Sequence, residues 1–172
     1  MTCAIIGFGG AVGQALAKPF ARQRIDVTVA SRRSPDDWAP TAQAVGKALP
    51  NWTGKLVIDA MNAYGKPLDE FGGLTSSAVV ARAFPDASFV KAFNHLPATK
   101  LAADPNLKSG RRVIFMASDD PAAAESSKVL IEALGYASVS LGTLAEGAVL
   151  TQARGRGWSP LTFQDLVKPD DQ

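Results

Sequence analysis

The 172-residue sequence predicts an α/β protein built on a doubly wound, mainly parallel sheet. Short apolar runs alternate along the chain with segments in which apolar residues recur at helical spacing. A glycine-rich turn separates the first run from the first helical segment. Strands that alternate with helices in this way form a parallel sheet with helices on both faces. The length suits one domain, which we expect to span residues 1–172.

The first half of the chain predicts three strands and two helices. The strands are the apolar runs Thr2–Ile6, Asp26–Ala30 and Leu56–Ala60. Apolar residues recur at helical spacing over 11–24, between the first two strands. A second helix is expected over Thr41–Leu49, where Pro50 stops it.

The second half predicts three more strands, over Ser88–Phe93, Arg112–Ala117 and Ala137–Leu141, with a helix over Ser76–Ala83 before them. In the tail from Ala153 to Gln172, apolar residues recur with no strong helical or strand period.

The helix between the last two strands has start and stop signals in the sequence. Asp120 can cap it, Pro121 suits its first position and Gly135 ends it. Its expected apolar stripe consists of Val129, Leu130, Ala133 and Leu134.

The composition argues against several classes of protein. A net charge of +2 is too small to favour nucleic acid or a membrane surface. The single cysteine, Cys3, allows no internal disulfide and fits a reducing compartment. No apolar run is long enough to span a membrane. One cysteine, one histidine and scattered carboxylates make no metal ligand set. We expect a cytoplasmic protein with a small-molecule substrate.

The turn after the first strand is the strongest indication of chemistry. Pyrophosphate binds at a helix N-terminus when backbone N–H groups approach it closely, and a side chain there would block the approach. The glycines follow a G-x-x-G-x-x-G spacing, one residue longer than the common G-x-G-x-x-G fingerprint. A tight turn without ligand is the alternative. The pattern favours a Rossmann-like dinucleotide site that consists of Gly7, Phe8, Gly9, Gly10, Ala11, Val12 and Gly13.

The residues after the second strand indicate which dinucleotide is bound. An NAD site usually has Asp or Glu there, bonded to the ribose 2′-hydroxyl. This chain has Ser31, Arg32 and Arg33. A hydroxyl and two guanidinium groups suit a 2′-phosphate, so the sequence favours NADP(H). A solvated basic turn is the alternative, but the position one βαβ step after the glycine turn favours the phosphate.

Three polar residues follow two later strands. Asn62 comes after the run LVIDA, and Asn94 and His95 come after SFVKAF. Ligands of open α/β sheets bind beyond the carboxyl ends of the strands. We expect these residues to line the site, although a lone histidine is often structural. No acid–base pair or nucleophile with its base is evident, and the catalytic residues stay unknown.

These segments together resemble a known family. The runs IIGFGGAVGQALA, ASRR, IDAMN, SSAVVARAFPDASFVKAFNHLPA, MASDDPAAA and LGTLAEG resemble, in this order, the coenzyme F-420-dependent NADP oxidoreductases. The resemblance implies that NADP lies across the glycine turn with its 2′-phosphate at Ser31, Arg32 and Arg33. It implies that a deazaflavin, as co-substrate, stacks on the nicotinamide near Asn94–Ala98. Hydride then passes directly between the rings, without an acid–base pair.

The chain is shorter than this family's pattern. Relatives have a further αβαβ stretch where this chain runs directly from Arg33 to Ala44. We expect a shortened sheet that closes across a gap or borrows a strand from a second copy, so that a homodimer is plausible.

The leading hypothesis is therefore an NADP(H)-dependent oxidoreductase that exchanges hydride with coenzyme F-420 or another small acceptor. One alternative is a non-catalytic NADP-binding or sensing module, which the shortened sheet motivates. Another is an imine or ketone reductase similar to pyrroline-carboxylate reductases. These reductases usually add a helical C-terminal domain, and the short tail after Leu150 argues against this last reading.

Overall fold

The computed structural model describes residues 3–6, 10–30, 45–47, 49, 51–63, 71–151 and 166–169. The elements in these ranges are, in chain order, β1 (Cys3–Ile6), α1 (Ala11–Arg22), β2 (Val27–Ala30), β3 (Leu56–Asp59), α2 (Ser76–Ala81), β4 (Ser88–Ala92), α3 (Ala98–Ala102), β5 (Asn106–Leu107), β6 (Gly110–Ala117), α4 (Pro121–Ala133), β7 (Ala137–Ser140), α5 (Gly147–Thr151) and β8 (Val167–Lys168).

The six strands expected from the sequence are all present, and their ends differ from the expected ones by one or two residues. Most of the expected helix over Thr41–Leu49 lies outside the described residues. Four short elements were not expected: α3, β5, α5 and the strand β8 in the tail.

The N-terminal unit is a strand, a helix and a parallel strand. β1 and β2 pair from Cys3 opposite Val27 to Ile6 opposite Ala30. α1 begins after Gly10 and continues through the buried Pro19 to Arg22. The unit therefore has the βαβ form that the sequence predicted.

The second sheet is centred on β6. β3 and β4 run parallel, with Asp59 opposite Lys91, and β6 runs parallel to β7. β4 joins β6 in an antiparallel pair with Lys91 opposite Ala117. The short strands β5 and β8 are also antiparallel to β6. The long ladders are parallel, so the prediction of a mainly parallel sheet is confirmed.

The two sheets are separate within the described part of the chain. β1 and β2 form a two-stranded sheet, and none of their described pairings reaches β3. Helix α1 connects the sheets through its apolar side, since Val12, Leu16 and Phe20 pack in one cluster with Ile58 and Val90. Within the described residues, the two sheets are therefore joined by the packing of α1 and not by strand pairing.

Helices cover both faces of the second sheet. Along β4, Val90 faces the cluster that contains α1, α3 and α4, whereas the neighbouring Phe89 faces the cluster that contains α2 and α5. The alternation follows from the two-residue period of a strand. The doubly wound arrangement is therefore confirmed.

The helix α4 has the expected ends but a different buried stripe. Asp120 accepts a hydrogen bond from the Ala122 backbone N–H at 2.9 Å, and Pro121 is the first helical residue. Val129, expected in the stripe, is 53% exposed, and Ala133 is also exposed. The buried residues are Ala123, Ser127, Leu130, Ile131 and Leu134. These positions fit a helical period that is rotated by about one residue from the expected one.

No helix in the described ranges is both long and apolar enough to cross a membrane.

We predict that Ile131→Ala and Val129→Ala differ sharply in stability, although both remove methyl groups from α4. Ile131 is fully buried, and its truncation should lower the free energy of unfolding by about 2–5 kcal/mol. Val129→Ala should change it by less than about 0.5 kcal/mol. Chemical denaturation of both variants measures this difference. Equal losses would contradict the assignment of the buried face.

Candidate functional site at the carboxyl edge of the sheet

The carboxyl ends of β3 and β4 form one edge, because the two strands are parallel neighbours. Asp59, the last residue of β3, lies opposite Lys91 of β4. The chain continues into Asn62 after β3 and into Asn94 and His95 after β4. The structure thus brings Asn62 and Asn94 together, whereas the side chain of His95 contacts Val113 and Phe115 of β6.

A buried ion pair joins the two strands at this edge. Lys91 Nζ lies 3.0 Å from Asp59 Oδ2, and each side chain is 1% exposed. Lys91 also donates a hydrogen bond to the Met61 carbonyl. The other carboxylate oxygen of Asp59 accepts from the Met61 backbone N–H at 2.9 Å. The pair therefore holds both polar groups of Met61 as well as the two strands.

Two hydrogen bonds connect Asn62 and Asn94, one donated by each side-chain amide. Asn62 Nδ2 donates to the Asn94 carbonyl at 2.6 Å, and Asn94 Nδ2 donates to Asn62 Oδ1 at 3.1 Å. Asn94 Nδ2 also donates to the Thr151 carbonyl at the end of α5, at 2.8 Å. Two acceptors fix the nitrogen of this amide, so its oxygen points elsewhere. Asn94 Oδ1 is buried and has no hydrogen-bond partner among the described residues.

The backbone turns sharply between β4 and these polar residues. Phe93 has φ of 63°, in the left-handed region that bulky residues rarely adopt. Its ring is buried and meets the Tyr136 ring edge-on, with centroids 6.3 Å apart. Packing of the ring holds the residue in this conformation, and the turn directs the chain to Asn94 and His95.

His95 is buried beside β6 and is only 4% exposed. Its Nε2 lies 3.3 Å from the Val113 carbonyl, and its ring packs edge-on against Phe115 at 5.1 Å. Burial lowers the pKa of His95 to about 4, against a smaller opposing effect of the Val113 carbonyl. The imidazole is therefore neutral at neutral pH. Nε2 carries the proton if it donates to Val113, and Nδ1 is an acceptor without a partner in the described ranges.

The glycine turn lies partly within the described residues. Gly10 is exposed and precedes α1 in an extended conformation, with no side chain capping the helix and no acidic residue in its first turn. Gly13 is buried, Val12 packs against the core and Ala11 is exposed. The remaining predicted residues are outside the described ranges: Gly7, Phe8, Gly9, Ser31, Arg32 and Arg33.

A surface hollow of about 140 Å³ lies at the opposite edge of the sheet. It is lined by Leu56 and Ser88, the first residues of β3 and β4, and by the first turn of α4. Its volume is below the roughly 300 Å³ at which small-molecule pockets begin. It is also far from the carboxyl ends of the strands, so we do not assign it a ligand.

Asp59 and Lys91 are site residues that the sequence did not identify. Each is a charged residue within or at the end of an otherwise apolar run, LVID and SFVK. A charge in such a run is rarely buried without a partner. This pattern was the available signal, but the identity of the partner depends on how the strands pair.

No protein-family model and no curated protein matches the chain. Among solved structures, the crystal structure of the hypothetical protein SMa0349 from Sinorhizobium meliloti is similar, with 31% identity and a TM-score of 0.81. The likeness covers 99% of this chain and 97% of that one. The chain belongs to the same family as SMa0349. Coverage is nearly complete in both directions, so the two proteins share one fold over almost their whole lengths.

Two more distant structures share the fold. A candidate F-420-dependent NADP reductase from Arthrobacter sp. FB24 is 20% identical over 84% of this chain and 86% of that one, with a TM-score of 0.59. A reductive aminase from Aspergillus terreus in complex with NADPH and ethyl levulinate is 16% identical, with a TM-score of 0.53. The match covers 87% of this chain but only 57% of the aminase. The Rossmann-like class predicted from the sequence is confirmed.

We predict that His95 makes the protein sensitive to mild acid. The pKa of about 4 in the folded protein lies below the 6.5 of the unfolded chain, so the unfolded state binds the proton first as the pH falls. The neutral, buried His95 therefore does not lower the free energy of unfolding above pH 6.5. Below pH 6.5 the free energy of unfolding falls, because the unfolded chain binds a proton that the folded protein does not. Between pH 7.5 and pH 5 the loss should be about 2 kcal/mol of unfolding free energy.

Urea denaturation of the wild type and of His95→Gln at the two pH values measures this loss. Contributions of the carboxylates cancel in the comparison, because both proteins contain them. The loss between pH 7.5 and pH 5 should be smaller in the variant by the stated amount. An equal loss in both proteins would show that His95 is accessible to protons in the folded state.

Proposed function

We propose that the protein is an NADP(H)-dependent oxidoreductase that transfers hydride between NADP(H) and coenzyme F-420 or another small acceptor. One observation carries the proposal. Ile6 and Ala30 are paired neighbours at the carboxyl ends of β1 and β2. The chain therefore enters its glycine segment and its Ser31-Arg32-Arg33 segment at adjacent points, about 5 Å apart.

This arrangement suits the adenosine half of NADP. The pyrophosphate needs a helix N-terminus with free backbone N–H groups, and α1 begins after Gly10 without a capping side chain and without an acidic residue in its first turn. The ribose 2′-phosphate needs cationic donors on the neighbouring strand, where Arg32 and Arg33 follow β2 in the sequence. Both requirements are supported by the same pair of strands.

The carboxyl edge of β3 and β4 suits the nicotinamide half. Hydride transfer between two rings requires orientation and a polar frame more than an acid and a base. The hydrogen-bonded pair Asn62 and Asn94 supplies such a frame. The neutral, buried His95 is consistent with a reaction that needs no imidazolium. The structures that share the fold include a candidate F-420-dependent NADP reductase and a reductive aminase in complex with NADPH.

A non-catalytic NADP-binding module is the second candidate. The separation of the β1–β2 sheet from β3 in the described part of the chain favours it, because the two halves of the site then lie on different sheets. Both candidates bind NADP(H), but only the oxidoreductase oxidises or reduces the nucleotide. Incubation of NADPH with coenzyme F-420, flavins, quinones and imines distinguishes them, since stoichiometric NADPH oxidation with any of these acceptors excludes the module.

We predict that the protein binds NADPH more tightly than NADH and that Arg32→Ala with Arg33→Ala removes this preference. Loss of two charge-assisted contacts of about 1.5 kcal/mol each should raise the Kd for NADPH by roughly 100-fold. The Kd for NADH should change little, because NADH has no 2′-phosphate. Fluorescence titration with both nucleotides measures the four constants.

Arg82→Ala is the matched control, because Arg82 is exposed at the end of α2, away from β1 and β2. It should leave both affinities unchanged. Equal wild-type affinity for the two nucleotides, or a preference that survives the double substitution, would refute the assignment of the 2′-phosphate site.

A further inference from the structure

The buried pair Asp59–Lys91 is more polar than the fold requires. Its neighbours along the strands are apolar, and a well-packed apolar pair can replace a buried ion pair without loss of stability. The ion pair Lys128–Glu125, by contrast, lies on the surface of α4. A buried charge pair at the edge where we place the nicotinamide therefore calls for a functional explanation.

The contacts of the pair concentrate on the backbone of one residue. Met61 donates its N–H to Asp59 Oδ1 and accepts from Lys91 Nζ through its carbonyl. Met61 is thereby fixed at both of its polar groups, one by each strand. The carbonyl of Met61 belongs to the same peptide unit as the backbone nitrogen of Asn62. The contact with Lys91 therefore also fixes the position of the Asn62 nitrogen.

The pairing register of β3 and β4 connects the ion pair to the amide pair of Asn62 and Asn94. Asp59 and Lys91 are opposite each other, and Asn62 and Asn94 each follow three residues later on the same two segments. The amide pair makes three hydrogen bonds that depend on the position of Asn62 and Asn94. These bonds leave the buried oxygen of Asn94 without a partner in the described part of the chain.

We propose that Asp59 and Lys91 are positioning residues: by fixing the backbone on both sides of Met61 they hold the Asn62–Asn94 amide pair in the orientation that receives the nicotinamide end of NADP(H). The inference rests on the proposed function. Neither residue touches the nucleotide. The adenosine end is held by the separate β1–α1–β2 unit, so their effect should be confined to the nicotinamide end.

The test replaces the pair by apolar residues of similar size, Asp59→Leu with Lys91→Met. Removing both charges avoids the unpaired buried charge that either single substitution would leave. Asp59→Asn with Lys91→Met is the second variant, to be used if the first does not unfold cooperatively. It keeps an acceptor for the Met61 N–H but loses the donor to the Met61 carbonyl. Glu125→Gln with Lys128→Met is the matched control on the surface.

Two probes separate the ends of the site. The nucleotide 2′,5′-ADP contains the adenosine and the 2′-phosphate but no nicotinamide, and NADPH contains all three. We expect the Kd of 2′,5′-ADP to stay within about 2-fold of the wild-type value, while the Kd of NADPH rises by roughly 3- to 10-fold. The fluorescence lifetime of bound NADPH should shorten, because the nicotinamide is held less rigidly. The surface control should change none of these values.

Each outcome decides a different claim. A parallel loss of affinity for both nucleotides, or unchanged NADPH affinity and lifetime in a cooperatively folded variant, overturns the positioning role alone. A wild type that binds neither nucleotide overturns the proposed function, and the positioning role with it. If the wild type oxidises NADPH, the variant should also show a lower kcat by up to about 100-fold with a smaller change in KM, as expected for misorientation.

Discussion

The buried contact between Lys91 and Asp59 constrains the whole carboxyl edge of the sheet. Charges taken out of water are tolerated only when they meet a partner. A slip of one residue between β3 and β4 would place the two side chains on opposite faces of the sheet and leave each charge without its partner in an apolar core. The pair thus excludes alternative registers as well as joining the strands. The positions of Asn62 opposite Asn94, and of the turn at Met61, follow from the register that it enforces.

The second constraint is the packing of α1 between the two sheets. A continuous sheet would align its strands through backbone hydrogen bonds. In the described part of this chain the relative position of the two sheets depends instead on α1, whose apolar side packs into the same core cluster as β3 and β4. Side-chain packing is less directional than a strand ladder, so this relative position depends on the volumes of a few core residues.

Much of the fold could be predicted because its elements have local causes. The six strands follow apolar runs, and α4 begins at Asp120 and Pro121 because both residues suit a helix start. Features that depend on distant partners could not be predicted. Val129 was assigned to the core because it is apolar, but the phase of the buried face is set by what packs against α4. Helices as short as α3 and α5 have too few turns to show a period.

The contacts at the carboxyl edge of the sheet could be predicted only in part, for the same reason. Asn62 and Asn94 could be placed near each other because parallel strands end at one edge. Their interactions could not be predicted. His95 lies deep against β6 because of an antiparallel pairing between β4 and β6 that no local pattern indicates. Lys91 and Asp59 needed the strand register to be recognised as partners.

The left-handed turn at Phe93 places two opposing demands on one position. The backbone favours glycine or asparagine there, whereas the cavity beside Tyr136 favours a large aromatic ring. No residue type satisfies both demands, so the backbone conformation and the ring contact each restrict which substitutions are tolerated at position 93. Relatives that lose the ring would need a compensating change at the Tyr136 contact, and relatives that gain a β-branched residue would have to rebuild the turn. We therefore expect positions 93 and 136 to covary among relatives of this protein.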